Sequence, residues 1–86
     1  MHTVNLLEFC LDLAKKLGYE VRRDWLDGEG GGSCVLRGKK LLFLDLALDP
    51  GEQLERVLDV LRREPQALNF SLPNPVRELL VLRQSA

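Results

Sequence analysis

Apolar positions recur along this chain with two different periods, and the change of period divides it into elements. Over residues 4–17, Leu6, Cys10, Leu13 and Leu17 return at helical spacing, and Leu7, Leu11 and Ala14 widen the stripe, so the pattern predicts an amphipathic helix. Asn5 followed by Glu8 resembles a capping box, with Thr3 as an alternative start. Lys15 and Lys16 suit the negative end of the helix dipole, and Gly18 offers a left-handed stop. Residues 19–25 then alternate: Tyr19, Val21, Arg23 and Trp25 share one face, Glu20, Arg22 and Asp24 the other, which predicts a half-buried strand.

After the flexible run Asp27-Gly28-Glu29-Gly30-Gly31-Gly32, a second strand is expected over 33–37 and a third over 41–48, joined by a tight turn at Gly38-Lys39. The third strand is apolar on both faces except at Asp45, a pattern that belongs to a central or doubly covered strand. Asp49-Pro50-Gly51-Glu52 is a helix start, with a capping side chain, a proline suited to the first helical position and an acidic residue in the first turn. The helix it opens carries Leu54, Val57, Leu58 and Leu61 on one stripe and ends before Pro65. Residues 65–73 read as irregular, with Leu68, Phe70 and Leu72 alternating to cover the sheet. Asn74-Pro75 opens a short last helix bearing Val76, Leu79, Leu80, Val81 and Leu82. The expected architecture is α+β, a single small domain over residues 1–86. Its order is helix, three-stranded antiparallel sheet, helix and short C-terminal helix, with the helices mainly on one face.

Composition narrows what such a domain can do. Hydrophobic residues make up 45% of 86 residues, enough for a core and too many for a disordered chain. A formal net charge of -1 gives no global attraction to nucleic acid or anionic lipid. No apolar run reaches the ~20 residues that span a bilayer, and the N-terminus lacks a secretory leader pattern, so a cytoplasmic protein is expected. Cys10 and Cys34 lie in apolar segments and read as two buried thiols of a reducing compartment rather than as a disulfide.

Reactive groups are sparse. His2 is the only histidine and the cysteines stand 24 positions apart, so no metal-ligand spacing exists and no cofactor is expected. The glycine run leads into a strand, not into a helix N-terminus, and no Lys-Ser or Lys-Thr pair follows, which argues against a phosphate loop. Asp45, flanked by Leu44 and Leu46, is the one carboxylate whose burial would suit acid–base chemistry, with Arg37 as a conceivable partner; pairing or turn capping is the commoner fate of such a group. Large apolar residues are in excess for so short a chain. The leading expectation is therefore a non-catalytic protein–protein interaction module, binding a protein partner or a second copy of itself. A small-anion binder built on the glycine loop and nearby arginines is the second reading, and an enzyme using Asp45 the third. Arg23, Trp25, Gly30, Gly31, Arg37 and Lys39 are the candidate ligand- or partner-binding residues, and no catalytic residue is assigned.

Leu17-Gly18-Tyr19-Glu20-Val21, then Gly32-Ser33-Cys34, then Gly38-Lys39-Lys40-Leu41-Leu42-Phe43-Leu44-Asp45 resemble the strand region of the ImmA/IrrE-like bacterial metallopeptidase domains. In that family the following helix carries HExxH, which holds zinc and activates water. The helix here reads Glu52-Gln53-Leu54-Glu55-Arg56-Val57-Leu58-Asp59-Val60-Leu61 and contains no histidine, so the resemblance implies the fold without the activity. The chain is also similar to short proteins common in bacterial genomes, a likeness that implies nothing about mechanism.

Overall fold

The first helix, α1 (Thr3–Lys16), follows its apolar stripe, and Leu7, Cys10, Leu11, Leu13 and Ala14 are buried. Its N-cap is His2, which makes no side-chain cap hydrogen bond. Gly18 adopts φ 98, the left-handed angle expected where the helix stops. The computed structural model describes residues 1–29 and 31–82; Gly30, the side chain of Leu82 and residues 83–86 lie outside the described residues.

Three strands follow, β1 (Tyr19–Asp24), β2 (Gly32–Leu36) and β3 (Lys39–Asp45). The expected hairpin joins β2 to β3, but its two-residue turn is Arg37-Gly38, one residue earlier than Gly38-Lys39: both have positive φ (53 and 78), the twist that matches the strands, and Lys39 already pairs with Leu36. The strand order is β1-β3-β2, so β3 is central, as its two apolar faces require.

The sheet is mixed rather than antiparallel: β1 pairs with β3 in parallel, Tyr19 opposite Lys40 through Asp24 opposite Asp45. The reason is order, not direction. Successive strands still alternate up and down, but residues 25–31 carry the chain past the end of β3 to its far side. β3 therefore enters between β1 and β2 and meets β1 running the same way.

The second helix, α2 (Pro50–Leu61), begins as predicted: Glu52 N–H donates to Asp49 Oδ1 at 2.9 Å. That cap contributes about 1 kcal/mol. The five buried side chains Leu54, Val57, Leu58, Val60 and Leu61 contribute about 10 kcal/mol of transfer free energy. Packing thus holds the helix, and the cap decides where it starts. Both α1 and α2 lie on the sheet face that carries Leu42 and Leu44, in one core. A 3₁₀ turn, η1 (Pro65–Asn69), leads to α3 (Asn74–Leu82), whose Val76 and Leu80 close the far side of that core. Leu68, Phe70 and Leu72 also pack against the helical core, and so do not cover the free face of the sheet. The Arg62 guanidinium latches α3 in place, donating to the Leu79 carbonyl at 3.0 and 3.3 Å and to Asp59 at 2.9 Å.

Candidate functional site

Register decides which side chains share the second face of the sheet. Opposite Leu41 stand Glu20 of β1 and Cys34 of β2, and opposite Phe43 stand Arg22 and Gly32. This outer face therefore carries Glu20, Arg22, Asp24, Lys39, Leu41, Phe43, Asp45, Gly32, Cys34 and Leu36, while the helices pack on the other side. One corner is polar: Glu20 accepts from Arg22 Nε at 2.6 Å and pairs with Lys39 Nζ at 2.8 Å, and these hydrogen bonds hold its carboxyl below the usual range. Apart from the exposed Asp24 and the buried Asp45, the remainder is apolar and only partly sheltered. Leu41 is buried and Phe43 half-buried, but Cys34 is exposed, and Leu36 is 58% exposed. Val35, on the opposite face of the same strand, is 69% exposed.

Asp45 explains how the loop after β1 is fixed at one end of this face. It is fully buried, and its Oδ1 accepts from Leu26 N–H at 3.0 Å and Ala47 N–H at 2.9 Å. Sequence reasoning singled out this carboxylate for its burial; the side chain ties two turns together, and Arg37 sits at the opposite end of β3. With Leu26 held down, the loop makes two adjoining hollows. One, about 370 Å³, is lined by Leu26, Gly31, Gly32, Ser33, Cys34 and Phe43. The next, about 440 Å³, is lined by Trp25, Leu26, Asp27, Glu29 and Gly31. Trp25 stands at its rim, 69% exposed.

The sequence-predicted candidates are dispersed over this architecture. Arg23 points to the helical side and pairs with Glu8 of α1 at 3.1 Å. Arg37 is exposed at the hairpin turn, and Lys39 belongs to the Glu20 corner. Trp25 and Gly31 meet at the loop hollow, and Gly30 lies outside the described residues. Two arginines outside the sequence-predicted candidates, Arg56 and Arg63, flank a hollow of about 130 Å³ against Gly31, Gly32 and Ser33. Only the position of α2 along β2 brings them there, and no local pattern announces it.

Cys34 corrects the expectation of two buried thiols. Cys10 is enclosed in the helical core, where burial pushes its thiol up to about 11. Cys34 is exposed on the outer face, and both are free. The segment Ser33-Cys34-Val35-Leu36 reads as apolar, but on this edge strand Cys34 and Leu36 face away from the helices, and α2 leaves Val35 uncovered on the other face.

Comparison with family models, curated proteins and solved structures finds no match. Among the described residues, no group of three or more His, Cys, Asp or Glu side chains could hold a metal ion, and no helix is long and apolar enough to cross a membrane.

A polar cluster closes the opposite end of the domain. Tyr19 Oη donates to Glu64 Oε1 at 2.6 Å, and Lys40 Nζ reaches the same oxygen at 3.2 Å while lying 4.9 Å from the centre of the Tyr19 ring. Burial, then the bond to Glu64, pushes the Tyr19 hydroxyl from 10.0 to about 12. The folded state keeps this proton longer than the unfolded chain does. Its contribution is therefore complete below pH 10 and is lost as pH rises toward 12. Tyr19 is the only tyrosine, so phenolate absorbance reads it alone, and a titration midpoint clearly above 10 is expected. A midpoint at 10 or below would remove the Glu64 bond from this account.

Proposed function

We propose that this chain is a non-catalytic protein–protein interaction module whose contact surface is the outer face of the sheet together with the free edge of β2. The observation that carries this reading is the bare apolar surface on β2, where Val35 and Leu36 are 69% and 58% exposed on a strand paired on one side only. Apolar side chains beside unpaired backbone groups are the features that strand addition uses, with main-chain bonds for affinity and side-chain hollows for specificity. The placement of Asp45 supports the same reading, because its bonds to Leu26 and Ala47 fasten loops.

The test compares two baits. Immobilised protein should retain a polypeptide from a lysate of its own cells, and the doubly substituted Val35→Lys, Leu36→Lys bait, verified as folded by circular dichroism, should lose at least nine-tenths of it. Equal retention by both baits, or retention by neither, would remove the β2 edge from the proposal.

A further inference from the structure

We infer that the occupant of the β2 edge is a second copy of this chain, paired antiparallel, β2 to β2, about a two-fold axis through Cys34. This rests on the reading of the β2 edge as the contact surface and adds the identity and register of the partner.

The two edges of the sheet differ in a way that selects one of them. β1 carries Glu20, Arg22, Arg23 and Asp24 within its six residues, the charge protection that keeps an edge from pairing. β2, Gly-Ser-Cys-Val-Leu, carries no charge, so it can lie against its own copy without placing like charges opposite each other.

Backbone parity then restricts the register. The two-residue turn at Arg37 and Gly38 makes Leu36 and Lys39 the closing, hydrogen-bonded pair of the hairpin. Alternation from there turns the N–H and C=O groups of Leu36, Cys34 and Gly32 toward β3 and those of Val35 and Ser33 outward. A second β2 running antiparallel must present outward groups to outward groups. Centring the pair on Cys34 puts Ser33 opposite the second copy's Val35 and Val35 opposite its Ser33, forming four N–H···O bonds. It is also the one register that overlaps all five residues of both strands. A slip of one residue sets outward groups against inward ones.

Shape and charge favour the same arrangement. Leu36 falls opposite the second copy's Gly32, beside the hollow of about 370 Å³ lined by Gly31, Gly32, Cys34 and Phe43. The exposed leucine of each copy thus meets a glycine-floored recess in the other, a self-complementary contact of the kind a two-fold axis requires. Beyond the strand ends, Arg37 of the turn lies past the second copy's Gly32, where β2 joins the acidic loop that holds Asp27 and Glu29.

In this register Cys34 lies opposite itself in a non-hydrogen-bonded pair, where Cα atoms approach to about 4.5 Å, within disulfide reach. The full chain, kept reduced, is examined by sedimentation velocity from ~1 to ~300 µM, concentrations that populate both monomer and dimer for a dissociation constant on the order of 10 µM. It is then treated with a mild copper–phenanthroline oxidant that accepts the two electrons released by a pair of thiols. We expect concentration-dependent dimer, rapid formation of a Cys34–Cys34 disulfide identified by peptide mapping, and at least tenfold loss of both in folded Val35→Lys, whose Cys34 remains exposed. Monomer throughout, or a dimer that Val35→Lys leaves intact, would overturn the self-pairing. In that event the lysate comparison decides the fate of the broader reading: loss of a foreign polypeptide on substitution keeps the contact surface and changes only its occupant.

Discussion

Asp45→Ala should cost this domain about 3 kcal/mol, read as a lowered midpoint of urea denaturation at unchanged slope. The carboxylate is fully buried and accepts from the backbone N–H groups of Leu26 and Ala47. Removing it takes the acceptor from both part-buried donors, and a donor left without its acceptor costs up to about 1–3 kcal/mol where water cannot replace it. Asp45→Asn keeps an oxygen where Oδ1 stands and should lose less than half as much. Faster hydrogen exchange at Leu26 and Ala47 in the alanine variant would locate the damage. A loss below about 1 kcal/mol, with both amides still protected, would show that the loop is held by something else.

Gly31→Ala is expected to be comparably severe, and Gly28→Ala isolates the cause. Both glycines have positive φ, +69 and +80. At Gly28 an added Cβ meets nothing within 4 Å, so the cost is the left-handed conformation alone, about 1–2 kcal/mol. At Gly31 the Cβ would stand 2.3 Å from the Phe43 carbonyl oxygen and 2.9 Å from its carbon. Those atoms belong to the central strand and cannot swing aside, so either β3 shifts or the loop lifts. An extra loss of about 2 kcal/mol over Gly28→Ala is the expected difference, of the size that overpacking imposes. Equal effects at the two positions would mean that the loop approaches β3 less closely than 2.3 Å implies.

These two residues also show where the sequence was informative. Burial of Asp45 was legible from its leucine neighbours, and glycine is the residue that unusual backbone angles and close approach favour. Neither told that the Phe43 carbonyl would be approached or that the Leu26 amide would be bound, because those partners arrive from 12 and 19 positions away; only the Ala47 amide is local. Local chemistry was read most fully where its partners are local, as in the Asp49 cap, the Gly18 stop and, to within one residue, the β2–β3 turn. The central place of β3 followed from its apolar faces, and combined with alternating strand direction it already entails a parallel β1. The antiparallel expectation had followed chain order instead. The arginines scattered for a similar reason: Arg23 finds Glu8 across the α1–β1 packing, and Arg56 and Arg63 line one hollow with Gly31, Gly32 and Ser33 because α2 packs along β2. An uncharged β2 looked like core in one dimension, and only its edge position makes it surface.

The crossing of the chain past β3 also sets an order of assembly. The β2–β3 hairpin and the helix after it are built from neighbouring residues, so they can condense as a unit at little loop-closure cost. The parallel seam joins residues 21 apart, Tyr19 to Lys40, and brings α1 with it. Chain entropy must be lost before that seam returns any contact, which makes arrival of the N-terminal third the slow event in folding. Until it arrives, the central strand has a second open flank, competing with the one that remains open in the finished domain.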